Sequence, residues 1–407
     1  MYDVVIVGGG ASGVVAALKA KTSNNRVLIL ERNSECLKKL LITGNGRCNY
    51  FNDDQNINNY YSNNLELVGE IITSDNINLV KEFFDNLGVV PKIKDGYYYP
   101  FSNQAITIKN ILLNELKRNK IEVRNNYLVT EIIKNDDVFI INSDSSKIQC
   151  KKLVLATGGC AYPKTGSTGM GYDFLKSFGH TIIKPLPALV QVEANFKYLK
   201  DWAGVRSEVR LELYENGRLV ASEEGEAQFT DYGLSGICTF NLSILISRGL
   251  DLGKKEIIKI NYLPFVKGDR IIWLEEYNKK VYGRTLLELL EGLLNYKLAK
   301  IILKVANLDY DNYFDKLTNS EKERLINNLF AMNLEISGTK SFDNSQVCSG
   351  GIPLSEINLK NCESKKVKNL YIAGELLDLT GKCGGYNLTI AWLSGLLIGN
   401  SIGDDYD

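Results

Sequence analysis

Histidine is almost missing from this sequence: His180 is the only one among 407 residues. That excludes a metal site built on imidazoles and a Ser-His-Asp triad, and His180 itself reads as the start of a strand, Thr181-Ile182-Ile183. No C-x-x-C pair occurs among the eight cysteines (36, 48, 150, 160, 238, 348, 362 and 383). Scattered in this way they read as reduced, mostly buried thiols of a cytoplasmic protein. Neither sign of charge is in excess. Lys+Arg and Asp+Glu number 48 each, so no global field draws in nucleic acid or an anionic membrane. Long hydrophobic runs are absent too: the most apolar later segment, Leu388–Ile398, falls short of the roughly eighteen residues of a membrane span. The apolar start carries Asp3, lacks a basic flank and breaks at three glycines, unlike a secretory signal. No metal is expected, and with so few side-chain catalysts the chemistry should belong to a cofactor.

What is present begins at the first residues. Val4-Val5-Ile6-Val7 is a fully apolar, β-branched stretch suited to a buried parallel strand. Gly8-Gly9-Gly10-Ala11-Ser12-Gly13 follows, then a helical stretch Val14–Lys21 and a second strand Arg26–Leu30 ending on Glu31. Strand, G-x-G-x-x-G, helix, strand and acid together form the dinucleotide-binding fingerprint. Gly8 permits the tight turn, Gly10 lets the backbone approach a pyrophosphate, and Gly13 lets helix and strand pack closely. The N–H groups and positive dipole end of the helix face the phosphates. Glu31, eighteen residues past Gly13, is placed to accept hydrogen bonds from ribose hydroxyls. A bound dinucleotide is therefore expected, in a chain long enough for two or three domains.

Leu40–Asn49 is a polar loop rich in donors, suited to clamping phosphate or a flavin edge. Phe51–Asn64 reads as an irregular surface loop. A helix capped by Asp75 places Ile77, Val80, Phe84 and Leu87 on one face, and Ala105, Ile108, Leu112 and Leu116 mark another. Short alternating runs from Tyr127 to Cys150 form a β-meander, followed by a buried strand Lys152–Thr157 that ends at Gly158-Gly159. Thr165–Gly171 reads as a loop and helix start, since neither flanking strand of a second nucleotide site is present. From Leu186 the pattern becomes β-rich: Leu189–Glu193, Glu208–Tyr214, Gly217–Ser222 and Ile237–Leu242, with Gly225–Gly236 as a long loop. Lys267–Leu334 reads as helices, the last opened by a Ser320/Glu323 capping box. The end returns to the nucleotide pattern with a strand Val367–Ala373, then Gly374-Glu375, then Gly384-Gly385-Tyr386-Asn387 opening a final helix. Gly395 and Gly399 in that helix suit close packing on the sheet.

These motifs, together with Lys39, Tyr162-Pro163, Gly350-Gly351 and Glu363-Ser364-Lys365, resemble one group: the NAD(P)/FAD-dependent oxidoreductase family of aminoacetone-oxidase-like and bile-acid-inducible reductase-like flavoproteins. The resemblance covers most of the chain. It implies an α/β fold: a discontinuous FAD-binding two-dinucleotide-fold (Rossmann-like) domain, with an inserted β-rich domain and a helical cap subdomain. The boundaries expected are 1–186 with 346–407 for the FAD domain, 187–264 with 335–345 for the β insert, and 265–334 for the helices. By the same resemblance FAD would be held by Gly8, Gly10, Ala11, Ser12 and Gly13, with Glu31 and Arg32 at the adenosine ribose. Lys38, Lys39 and the loop Thr43, Gly44, Asn45, Gly46, Arg47, Cys48 and Asn49 would approach the pyrophosphate and flavin. Val129 would give its backbone to the adenine. Thr157, Gly158, Gly374 and Glu375 would meet the ribityl region, and Gly385, Tyr386, Asn387 and Leu388 the ring.

The implied activity is an FAD-dependent oxidation or reduction of a small organic substrate held between insert and flavin, with NAD(P)H as possible electron donor. The alternative is an FAD-dependent RNA-modifying or RNA-binding flavoprotein, against which the balanced charge counts. The chain departs from the family's usual residues at Tyr97, Asp231, Ile237 and Cys362. Asp231, Tyr97 and Cys48 are the side-chain candidates for catalysis. Cys48 has no cysteine within three positions, so a disulfide there is not expected.

Overall fold

Val4–Val7 and Val27–Leu30 contain no polar residue because both strands are covered on both faces. In the computed structural model, which describes residues 1–144 and 146–406, they sit at the centre of a seven-stranded sheet. Its order is Glu122–Arg124, Val27–Leu30, Tyr2–Val7, Lys147–Leu155, Val138–Asn142, Glu131–Asn135. Tyr2–Val7 runs parallel to both neighbours, in register Val4↔Val27 on one side and Val4↔Lys152 on the other. Lys147–Leu155 forks. Its first half pairs antiparallel with Val138–Asn142, its second half parallel with Leu370–Ile372. The strand order therefore reverses at Tyr2–Val7, and the crevice beyond the carboxyl ends of the parallel strands is where such sheets bind ligands.

The chain divides into two compact units, Met1–Leu186 with Gln346–Asp407, and Pro187–Ser345. In the first, the helix Ala11–Ala20 is sandwiched between the sheet and the last helix, Tyr386–Asp404. Gly395 and Gly399 face this first helix, where sequence reasoning placed the sheet. A Cβ on Gly395 would lie 2.5 Å from Ser12 O, and one on Gly399 2.8 Å from Ala16 O. Phe51–Asn64 is no simple surface loop, because Phe51 and Tyr60 are buried and each belongs to a short strand. The helix Ser74–Asn86 is capped by Thr73, whose hydroxyl accepts from Asn76 N; Asp75 lies two positions further on, in the first turn.

His180 does not open a strand, which starts at Ile183. It is buried, with Nδ1 2.7 Å from Glu356 Oε2 and Nε2 2.8 Å from Ser364 Oγ. Serine, histidine and carboxylate stand in the order of a hydrolytic triad. Ser364, however, is buried and its oxygen accepts the N–H groups of Lys366 and Val367. The arrangement ties the segment 356–367 to the sheet's return path. Burial opposes the charge on Glu356, but hydrogen bonds from Lys366, Thr181 and His180 outweigh it and bring the carboxyl down to about 2.

The second unit is a closed barrel of Val192–Asn195, Gly233–Ser235, Arg218–Phe229, Arg206–Glu215, Glu256–Asn261 and Met332–Thr339. Four helices between Arg270 and Phe330 share its core through Leu274, Leu286, Ile302 and Leu329. Three sequence expectations fail here. Ile237–Leu242 is the start of a helix, Ile237–Asp251, buried on several sides. Gly225–Phe229 continues a twelve-residue strand, so the expected long loop shrinks to Thr230–Tyr232. The capping box of Asn319–Phe330 is made by Thr318 and Glu321, two positions earlier than expected.

Candidate active site

The carboxyl ends of the parallel strands carry the glycine turn, two carboxylates and a helix start. Gly8 has φ +108, and a Cβ there would stand 2.3 Å from Ala156 O, so the turn accepts only glycine. Gly10 then caps the helix Ala11–Ala20, whose first N–H groups have no partner within the helix. Glu31 is buried. Its Oε2 accepts from Gly9 N at 2.7 Å, and its Oε1 from the backbone and side-chain nitrogens of Asn33, both at 2.7 Å. The acid thus braces the turn while keeping lone pairs for a ribose. Arg32 is exposed and donates to Thr168 Oγ1 at 2.8 Å, which joins the loop Thr165–Gly171 to this edge. Lys38 is exposed, and Val129 is buried just before the strand Glu131–Asn135.

Glu375 is the second carboxylate. Oε2 accepts from Lys39 Nζ at 3.0 Å and from Gly159 N at 3.2 Å, and Oε1 accepts from Cys348 N at 2.8 Å. Three segments distant in sequence converge on this one side chain. Gly158, with φ +72, puts a hypothetical Cβ 3.8 Å from Glu375 Oε2. Gly374 lies against Ser12 and donates its N–H to Ser394 Oγ at 2.9 Å. Thr157 turns its hydroxyl toward Gly171, where a Cβ would meet it at 2.1 Å. Tyr172 and Cys348 belong to this cluster, as Asn33 does to that of Glu31, and no local spacing in the sequence pointed to them.

A third group surrounds the last helix's start. Gly385, with φ +93, is its N-cap, and a Cβ there would lie 2.9 Å from Phe51 O. Leu388 lies in the first turn of this helix, whose opening N–H groups have no intrahelical partner. The Asn387 side chain does not reach outward. Its Oδ1 accepts from Gly381 N at 2.9 Å and its Nδ2 donates to Gly381 O at 2.7 Å, pinning the loop 381–385. Tyr386 is buried, with its ring edge-on to Tyr60 at 5.5 Å. Asn49, with its amide turned to donate, bonds Tyr98 O at 3.1 Å and Phe51 O at 2.9 Å.

In the loop before it, Gly44 and Asn45 take positive φ, Thr43 Oγ1 donates to Leu40 O, and Arg47 lies over the Tyr99 ring. Gly46 also has positive φ. Tyr97 lies in the strand Tyr97–Pro100 beside Asn52, and a Cβ on Gly384 would stand 2.5 Å from its ring. Burial, then Tyr99 and Cys383, raise its phenol above the usual tyrosine range. Cys48 is fully buried, and burial pushes its thiol up to about 12. A protonated, enclosed thiol is no nucleophile. Asp231 is exposed in the turn Thr230–Tyr232 of the second unit.

Residues 2–401 match the HI0933-like protein Rossmann domain. The chain belongs to this family. Among relatives of the HI0933-like chain, the 3-dehydro-bile acid delta(4,6)-reductase of Clostridium scindens is 35% identical over 405 residues, covering 98% of this chain and 99% of that one. The ribosomal RNA dihydrouridine synthase of Escherichia coli is 27% identical over 400 residues, covering 97% of this chain and 96% of that one. Among solved structures, the 3-ketosteroid-delta4-(5alpha)-dehydrogenase of Rhodococcus jostii RHA1 in complex with 4-androstene-3,17-dione aligns with TM-score 0.52 at 13% identity, over 99% of this chain and 96% of that one. The open form of a flavocytochrome c3 fumarate reductase aligns with TM-score 0.50 at 16% identity, over 99% and 78%. These two likenesses show the fold.

The HI0933-like chain is an FAD-dependent oxidoreductase with a Rossmann-type α/β fold. Its own geometry fits FAD: a turn that no side chain can enter, two helix N-termini, and carboxylates at the ends of the second and last parallel strands. Among the described residues no helix is long and apolar enough to cross a membrane, and no cluster of three or more His, Cys, Asp or Glu residues is placed to hold a metal ion.

Proposed function

We propose that this protein reduces a carbon–carbon double bond conjugated to a carbonyl, in a fused-ring 3-oxo substrate of the bile-acid type. One observation carries the reading: 35% identity along 98% of the chain to a 3-dehydro-bile acid delta(4,6)-reductase. Conjugation to a ketone polarises such a bond, so its far carbon accepts hydride and the carbon nearer the carbonyl accepts a proton. FAD, when bound, supplies hydride chemistry. The chain's part is to hold the cofactor, to meet negative charge and to deliver the proton. Gly8, Gly10 and the helix start behind them take the pyrophosphate, Glu31 the adenosine ribose, and Glu375 with Lys39 the ribityl chain. The N-terminal end of Tyr386–Asp404 meets negative charge on the ring. Tyr97 delivers the proton, because burial keeps its phenol protonated beside the loop that opens this helix.

The test uses holoenzyme reduced anaerobically with dithionite and then mixed with a 3-oxo-4,6-diene bile acid. Return of the oxidised flavin spectrum, with a product carrying two more hydrogens, is expected. A reduced flavin that reacts with oxygen but ignores this dienone would end the reading. The electron donor in this scheme is NADH or NADPH, and bleaching of the flavin on anaerobic mixing with each checks it. None of the eight cysteines is joined in a disulfide, which suits the cytoplasm as working compartment.

A second reading has its own support, 27% identity along 97% of the chain to a ribosomal RNA dihydrouridine synthase. The 5,6 double bond of uracil is also conjugated to a carbonyl, so the same chemistry would act on uridine in RNA. The equal numbers of acidic and basic residues, 48 each, offer no general grip on a polyanion. Reoxidation of the reduced flavin by a uridine-bearing ribosomal RNA fragment, and not by the dienone, would favour it.

A further inference from the structure

Two of the cysteines meet. Cys160 follows the turn Gly158–Gly159, and Cys348 lies in the strand Val347–Gly351, 188 positions later. The Cys160 N–H donates to Cys348 Sγ at 3.4 Å, which brings the two residues into direct contact. Gly159 makes the approach possible, since a Cβ there would lie 2.1 Å from Cys348 Sγ. Tyr172 Oη stands 3.5 Å from the same sulfur. The partners are unequal. Cys160 is partly exposed and Cys348 is buried. The neighbouring Cys348 draws Cys160 toward the thiolate, while Cys160 and burial together hold Cys348 protonated. The flavin chemistry uses neither sulfur.

We propose that Cys160 and Cys348 form a redox-active dithiol that exchanges with low-molecular-weight disulfides of the glutathione class. Cys160 Sγ, as thiolate, attacks one sulfur of the disulfide; a Cys160–S–S–R bond forms and the first RS⁻ leaves. Cys348 Sγ then attacks Cys160 Sγ and expels the second RS⁻, which takes the Cys348 proton. Two protein sulfurs are oxidised to a disulfide and one external disulfide is reduced to two thiol equivalents. Exposure and thiolate character assign the first attack to Cys160, and burial assigns the resolving role to Cys348. The new bond closes around Glu375, because the Gly159 and Cys348 N–H groups that it would fasten together are both bound to that carboxylate. It therefore stiffens the grip on the cofactor. This last consequence rests on the FAD reading; the exchange itself does not.

The experiment incubates holoenzyme with oxidised glutathione, alkylates the remaining thiols, digests and maps disulfides by mass spectrometry. A Cys160–Cys348 cross-linked peptide that disappears with dithiothreitol is expected, formed equally in Cys383→Ser. Cys348→Ser should stop at a glutathione adduct on Cys160, and Cys160→Ser should give neither species. A lasting glutathione adduct on Cys160 in the unaltered protein, a link running through Cys383, or no oxidation at all would overturn the proposal. FAD should leave the oxidised protein severalfold more slowly than the reduced one. An unchanged release rate beside a mapped disulfide would overturn the coupling to Glu375 alone.

Discussion

The two units treat a carboxylate in opposite ways. In the nucleotide-binding unit, Glu375 receives an ammonium and two backbone N–H groups, and Glu31 receives three donors of its own. In the barrel unit, Glu256 is 1% exposed and neither of its oxygens has a hydrogen-bond partner. Gly249 makes room for it, since a Cβ there would stand 1.7 Å from Glu256 Oε1. Burial, then the nearby Glu215, push its carboxyl up to about 7. The first unit aims N–H donors at the carboxylates that end its strands, where a ligand would need them. The second leaves an acid without a donor, to become neutral inside the barrel unit. Donor supply, more than burial, separates the functional carboxylate from the incidental one.

The contrast breaks at several places, in falling order of effect. Tyr97→Phe should leave the flavin spectrum intact and lower turnover of a conjugated ketone roughly a hundred- to ten-thousand-fold, the range of a lost general acid; stopped-flow reoxidation measures it. Glu375→Ala strands Lys39 and two N–H groups, which are part-solvated, and should weaken FAD binding by about 2 kcal/mol, roughly thirty-fold. Flavin fluorescence titration reads that, with circular dichroism confirming the fold. Glu256→Gln should act only through pH. Folding favours the protonated acid, so this group's contribution is complete below the ordinary carboxylate range near 4.5 and is lost as pH rises through about 7. The decline amounts to about 3 kcal/mol at most. The melting temperature of the variant should therefore fall less between pH 5 and pH 8 than that of the unaltered protein, and parallel curves would remove Glu256 as the titrating group. Asp231→Asn, in an exposed turn, should shift stability by less than about 0.5 kcal/mol and leave FAD affinity unchanged by the same titration.

The legible parts of the sequence are those whose reason is local. Val4–Val7, Gly8 and Glu31 announce themselves because strand, turn and acid lie within one short unit, and Gly374-Glu375 follows its strand directly. The helix Ile237–Asp251 looked like a strand at its start because Ile237 and Thr239 are β-branched and Phe240 is aromatic, and burial on several sides erases the one-faced pattern that would mark a helix. Gly225–Phe229 looked like a loop because the strand's outer face is polar, with Ser222, Glu224 and Glu226 on it. The capping threonines, Thr73 and Thr318, were passed over for polar residues two positions further on in each case. Nothing in the spacing of Cys160 and Cys348, or of Lys39 and Glu375, joins them, since those meetings are made by the sheet.

The glycines of the last helix carry a consequence for how the protein is made. Gly395, Gly399 and Gly403 bring Tyr386–Asp404 against the backbone of Ala11–Ala20. The helix Ala11–Ala20 thus waits until residues 386–404 have been made before its outer side is covered. At about 5–20 residues per second the fingerprint spends tens of seconds as an unfinished surface, while the barrel unit has all its strands at hand by residue 339, before the last helix begins. Cofactor capture becomes a late event of synthesis, and a ribosome that stalls before residue 386 leaves a folded barrel attached to an open nucleotide site.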